Sequence, residues 1–183
     1  MQALTGSPDL TKSLATLDLE IKKLVQLASK NVDKSNVLNV SNLADNVLAT
    51  AEKTTKMLEL SSKSSQARIV NIAGRQRMLS QRTAKLYMLI ECGFDSKNVR
   101  IELDKSRKEF TTALGLLINA PISTPSIRQE LDLAKQQWGA FQVSLDMNTS
   151  LTLRRNVAST SERLLEIMDS LTSQYDLALK ETV

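Results

Sequence analysis

The chain has 183 residues, enough for one or two domains, and 42% of them are hydrophobic, enough for a core. Five glycines, three prolines and 3% aromatics disfavour a turn-rich sandwich or barrel and favour long helices. There is no histidine, which rules out His-based zinc sites and Ser-His or Cys-His catalysis. The net charge of +4 is modest, and no apolar run reaches the length of a membrane span.

A first helix is expected to open at Ser7-Pro8-Asp9, with Ser7 as cap, Pro8 in the first turn and Asp9 against the helix dipole. Leu10, Leu14, Leu17, Ile21 and Leu24 give it an apolar stripe. The polar segment from Asn31 to Asn36 reads as a turn. From there to Cys92 Gly74 is the sole glycine and no proline occurs, so one long helix is expected, with a break allowed in the serine-rich stretch from Ser61 to Ser65. Gly93 reads as a helix stop and Asp95 as the cap of a helix running to about Asn119. Pro121 to Pro125 is a connector. Thr124-Pro125 begins a further helix carrying Ile127, Leu131, Ala134, Trp138, Phe141 and Leu145. A short turn at Asn148-Thr149-Ser150 precedes a last helix from about Leu151 to Leu179.

Residues 8–58 repeat weakly as residues 125–175 at a shift of 117, without a gap. Pro8 meets Pro125, Leu14 meets Leu131, Ile21 meets Trp138 and Leu48 meets Leu165. The fold expected is therefore all-α. It comprises an N-terminal helical hairpin, a half-repeat over residues 1–60, and an up-down four-helix bundle with a long motif helix over residues 61–183.

The chemistry concentrates in the interval between Glu59 and Glu91. It holds no acid but contains Lys63, Arg68, Arg75, Arg77, Arg82 and Lys85. On a helix, Ile69, Ile72, Gln76, Leu79, Thr83, Leu86 and Ile90 form one stripe, the seam expected to face the chain's own core. Gly74, Arg77, Met78, Gln81, Lys85, Met88 and Cys92 fall on the opposite side, expected to meet something else. A glycine inside a helix costs roughly 1 kcal/mol against alanine and suits a site where a backbone or ligand must come close. Gly74 and Arg77, three apart, share that face. Two copies of Arg77 meeting at a symmetric dimer would need an anion between them, and a planar oxyanion suits paired guanidinium forks. The alternative is a merely solvated basic face, and the residues alone leave both open. Arg75 and Arg82 either raise the local anion concentration or, the stronger reading, pair with acids on neighbouring helices. Gln81 either adds a ligand hydrogen bond or is a plain interface residue. Met78, Met88, Trp138 and Phe141 read as packing, and Cys92 as a buried free thiol. No paired acids, activated nucleophile or glycine-rich phosphate loop occurs, so an enzyme is not expected and no cofactor is implied.

Asn71 to Lys85, N-I-A-G-R-Q-R-M-L-S-Q-R-T-A-K, resembles the signature of the PilJ-type N-terminal domain of type IV pili methyl-accepting chemotaxis transducers. Thr124 to Trp138 resembles a second, weaker stretch of the same family. The motif is also similar to the P-box of nitrate/nitrite sensor kinases, with Ala73, Gly74, Arg77, Met78, Ser80 and Arg82 at the matching positions. Here Arg75-Gln76 stands between Gly74 and Arg77, which raises the local charge. The resemblance implies a periplasmic sensory module that dimerises and binds a small oxyanion, nitrate- or nitrite-like. Arg77 and Gly74 are the implied contacts, with Arg75 and Gln81 as flanking candidates. It also implies attachment to a membrane-anchored receptor or kinase with a chemotaxis or two-component output. The competing class is a helical adaptor that binds a protein through its basic face without a small ligand. A nucleic-acid binder is disfavoured by the packing positions of the charges and the scarcity of aromatics for stacking.

Overall fold

A computed structural model describes residues 7–30, 33–62, 65–146 and 151–181, and all of its regular structure there is helical. The helices are α1 (Pro8–Ala28), α2 (Lys34–Ser62), α3 (Ser65–Glu91), α4 (Lys97–Ile118), α5 (Pro125–Asp146) and α6 (Leu151–Glu181). Of the expected single helix from residue 37 to Cys92, α2 and α3 are the described parts, and residues 63 and 64 of the serine-rich stretch between them lie outside the described residues. The turn at Asn148-Thr149-Ser150 lies outside the described residues, as do residues 31 and 32 of the first turn.

The chain divides into two compact units, Met1–Ser64 and Ser65–Val183. In the first, α1 packs on α2, and a buried hydrogen bond joins the hydroxyls of Ser13 and Thr54 at 2.7 Å. Helix α2 opens with a reciprocal cap. Asp33 Oδ1 accepts from the Asn36 amide at 3.0 Å, and Asn36 Oδ1 accepts from the Asp33 amide at 3.1 Å. At the start of α1, Ser7 differs from expectation. Its side chain makes no capping bond, and its carbonyl instead accepts from the amide of Thr11 at 3.0 Å.

In the second unit α3 packs on both α4 and α6, and α5 packs on α6 and α4. Arg75 reaches Glu109 while Arg82 reaches Glu102, so α3 and α4 run antiparallel. Gln81 reaches Ser161 while Glu91 takes Arg154, so α3 and α6 do as well. Between them lies a core of Leu79, Tyr87, Phe110, Leu114, Leu117, Ile127, Leu131, Trp138, Phe141, Leu164, Met168, Leu171 and Tyr175. Trp138 stacks on Phe110 of α4 with ring centroids 3.9 Å apart, and its indole N–H donates to Thr111 Oγ1 at 3.0 Å. Burial of the polar ring atom is thereby compensated. Met78 and Met88 pack against this core, as read from the sequence.

Gly93 ends α3 with a φ of +90°, a conformation glycine adopts without steric cost. The next cap is Ser96 rather than Asp95, with Ser96 Oγ accepting from the Val99 amide at 3.3 Å. Asp95 is drawn away by Arg100, whose Nε and Nη2 both donate to it at 2.6 Å. This pairing holds its carboxyl below the usual range. Cys92 is exposed, not buried, because it sits in the terminal turn beyond the last core contact of α3.

Candidate functional site

The motif lies wholly within α3, and its apolar and polar positions separate as the helical period requires. Ala73, Gln76, Leu79, Ser80 and Thr83 are buried. Three of these are polar; local bonds satisfy Ser80 and Thr83, and a bond to α4 satisfies Gln76 in part. Ser80 Oγ donates to the Arg77 carbonyl at 2.8 Å and Thr83 Oγ1 to the Leu79 carbonyl at 2.8 Å. Gln76 Nε2 donates to the Phe110 carbonyl at 2.9 Å, which ties α3 to α4 inside the core. Gln76 Oε1 has no partner among the described residues, a cost of roughly 1–3 kcal/mol for a buried acceptor.

The motif arginines divide between two neighbours. Arg75 Nη2 donates to Glu109 at 2.9 Å and Arg82 Nη2 to Glu102 at 2.9 Å, both on α4. That is the stronger of the two readings open for them in the sequence. Arg77 turns the other way and donates through Nη1 to Asp169 on α6. Its side chain is 42% exposed and that of Asp169 is 62% exposed, so the pair lies at the rim of the α3–α6 groove rather than within it.

The second stripe thus differs from expectation in one respect. It does not stand clear of the chain's own packing, because α3 has α4 on one flank and α6 on the other. Gly74 looks toward α6, where a Cβ would meet Thr172 Cγ2 at 3.9 Å, an ordinary contact. Gln81 Nε2 donates to the Ser161 carbonyl at 2.9 Å. At the far end Arg154 Nε donates to Glu91 at 3.0 Å. Gly74, Arg77 and Gln81 therefore line one rim facing α6, and Arg75 lies apart from them toward α4. A sequence pattern finds the stripe but not Asp169, since nothing local to residues 160–175 marks one acid among several as the partner of an arginine 92 positions away.

A shallow groove between α4 and α5, lined by Asp104, Arg107, Lys108, Thr111, Thr112 and Gln142, offers a second basic surface. Its arginine is already forked onto Asp146, with Nη1 and Nη2 at 2.7 and 2.9 Å. The hydrogen bonds raise the pKa of the guanidinium and lower that of the carboxyl, which favours the charged pair. No cluster of three or more metal-binding side chains occurs among the described residues.

Residues 58–164 match the family described as type IV pili methyl-accepting chemotaxis transducer N-terminal domain, PilJ. The chain belongs to the PilJ family. The match covers more than half of the chain, including α3, α4 and α5 entire, and ends within α6. Arg77 thus lies inside the matched segment, whereas its partner Asp169 lies beyond it. Membership makes this a sensory domain of the chemotaxis-transducer type. No curated protein and no solved structure matches the chain. Among the described residues no helix of this PilJ domain is long and apolar enough to cross a membrane.

Proposed function

We propose that this PilJ domain is an extracytoplasmic sensor whose Arg77 rim binds a small planar oxyanion of the nitrate or nitrite kind. Its ligand-bound form is a homodimer in which two such rims share the anion. The reading further places the domain in the periplasm, joined to a membrane-anchored receptor or kinase that carries the chemotaxis or two-component output.

One observation supports the reading: among the described residues the Arg77 guanidinium has one partner, a carboxylate that is itself largely exposed. An exposed ion pair contributes roughly 0–1 kcal/mol. A planar oxyanion accepting both prongs of the guanidinium makes a charge-assisted, bidentate contact that competes with so weak a tie. Asp169 would occupy, in the unliganded protein, the place the anion takes. Gly74, one turn away, leaves the backbone bare beside it, and no contact within the chain requires a glycine there. Displacing Asp169 loosens one tie between α3 and α6, the kind of small helix shift that carries a signal along a bundle.

The adaptor reading draws less support. Arg75, Arg77 and Arg82 are each engaged by an acid of the same chain, which reduces the basic face available to a protein partner. The test is a thermal-shift screen of nitrate, nitrite, sulfate, phosphate and short carboxylates on the parent and on Arg77→Ala. A ligand that binds the folded state alone raises the midpoint by mass action. A shift from a planar oxyanion that disappears in Arg77→Ala supports the proposal; equal shifts in both proteins, or none in either, refute it.

A further inference from the structure

Helix α4 carries two stripes. Ser106, Phe110, Leu114 and Leu117 are buried and face the core. Asp104, Arg107, Lys108, Thr111 and Thr112 recur at i, i+3, i+4, i+7 and i+8, the spacing of a second helix face. That face is polar throughout. With Gln142 of α5 it lines an open groove of about 350 Å³, at the lower end of the range for small-ligand sites.

The polar groups of the groove are of two kinds. Arg107 is spent: besides its fork onto Asp146, its Nη2 donates to Gln142 Oε1 at 3.3 Å. This last bond fixes the oxygen end of the Gln142 amide on the arginine and leaves the NH2 end to donate elsewhere. The Thr111 hydroxyl is spent as well, donating to the Arg107 carbonyl at 2.9 Å and accepting from the Trp138 indole. Asp104, Lys108 and the Thr112 hydroxyl, by contrast, make no hydrogen bond or ion pair among the described residues. The two arginines that feel the charge of Asp104 are each committed to another acid, Arg100 to Asp95 and Arg107 to Asp146.

An aspartate followed four positions later by a lysine is spaced to pair on a helix. Asp18–Lys22 and Asp176–Lys180 do so in this chain, each at 2.6 Å. Asp104 and Lys108 have the same order and spacing and stay apart. They stand where the groove meets a second hollow of about 400 Å³ that runs on past Lys105 and Glu109.

We propose that the α4–α5 groove binds a free α-amino acid with a short side chain, its ammonium on the Asp104 carboxylate and its carboxylate on the Lys108 ammonium and the Gln142 amide N–H. A zwitterion inserts into an open acid–lysine pair with both of its charges matched. An anion alone would leave its charge facing Asp104, and a cation alone would leave its charge facing Lys108. The Arg107–Asp146 fork is the wall that orients Gln142, and it stays closed when the ligand enters. The site is independent of the oxyanion reading, since it uses no residue of α3.

The test is a thermal-shift titration of the full chain, in chloride buffer free of nitrate, with glycine, L-alanine, L-serine and L-threonine, followed by calorimetry. At least one of them should raise the midpoint saturably. Analogues of that amino acid lacking either the amino or the carboxyl group should not. Asp104→Asn and Lys108→Gln should each weaken binding roughly tenfold or more through loss of a charge-assisted contact. Lys105→Gln, which changes only the second hollow, should leave it nearly unchanged. All three side chains are exposed, so helicity by circular dichroism should be retained. No saturable shift from any of the four amino acids up to about 10 mM overturns the proposal. So do equal responses to the single-charge analogues, or an affinity unchanged in Asp104→Asn and Lys108→Gln. Loss of the oxyanion response with the amino-acid response intact would count against the Arg77 reading alone.

Discussion

Arg77 on α3 and Asp169 on α6 form an ion pair that crosses the two helices at their exposed rim. On the proposed reading, an anion that uses the guanidinium has to compete with this carboxylate, so the protein's own acid would set a threshold for binding. Asp169→Asn removes the competing charge while keeping the side chain's shape. An exposed pair is worth about 0.2–1 kcal/mol, so the affinity for a planar oxyanion should rise about 1.4- to 5-fold. Calorimetric titration of parent and variant measures this directly; a loss of affinity would mean that Asp169 positions Arg77 instead of competing for it.

Arg77→Ala should fold as well as the parent, because a rim side chain leaves no core cavity. Its anion affinity should fall roughly a hundredfold or more. Each ligand would lose two charge-assisted contacts, one per copy, at about 1.5–3 kcal/mol apiece. Arg77→Lys should also weaken binding, since a point charge does not reproduce the planar fork. Arg75→Ala, which points to Glu109 on the α4 side, should change affinity little. Equal losses at Arg75 and Arg77 would indicate diffuse attraction by a basic helix and remove the case for a specific site.

Gly74→Ala separates packing from binding. A Cβ at this position meets nothing closer than 3.9 Å, and alanine is the better helix former. The variant should therefore gain about 0.5–1 kcal/mol in stability, read from chemical denaturation. If the bare backbone serves the anion or a second copy, the same variant should bind the oxyanion more weakly. Greater stability together with undiminished binding would show that the site does not use Gly74.

The helices were legible because few residues interrupt the 3.6-residue period, and because Gly93 and Pro125 mark their ends with residues of fixed backbone preference. The caps were less legible. Asp95 is as good a cap as Ser96 in isolation, and only the position of Arg100 decides which of them serves. The core stripe of α3 was legible even where polar, since Gln76 and Thr83 keep the spacing of the apolar residues around them. The surroundings of the second stripe were not. Helical periodicity tells which residues share a side but not whether that side meets solvent, another chain or α6. The partners Glu109, Glu102 and Asp169 follow from the antiparallel registers of α4 and α6, which no local pattern states.

The two tyrosines give the bundle a predictable response to alkali. Tyr175 is fully buried, with its hydroxyl 2.8 Å from Ser123 Oγ and donating to the Leu117 carbonyl at 3.2 Å. Burial disfavours the phenolate and raises its pKa above the ordinary value of 10.0, and the hydrogen bond to Ser123 offsets this in part. Tyr87 is raised too, first by burial and then by the charge of Glu91. Below pH 10 both phenols are protonated whether the chain is folded or not, and stability does not depend on them. Above it the unfolded chain releases protons that the folded chain retains, so stability falls as pH rises, by up to about 1.4 kcal/mol per pH unit for each tyrosine. Tyr175→Phe should be less stable than the parent by about 1 kcal/mol at pH 8, from the lost hydrogen bonding. Between pH 10 and 11.5 that gap should narrow, because the variant no longer carries the penalty of keeping Tyr175 protonated. Urea unfolding of both proteins across this range checks the sign; a gap that stays constant with pH would show that Tyr175 titrates alike in the folded and unfolded chains.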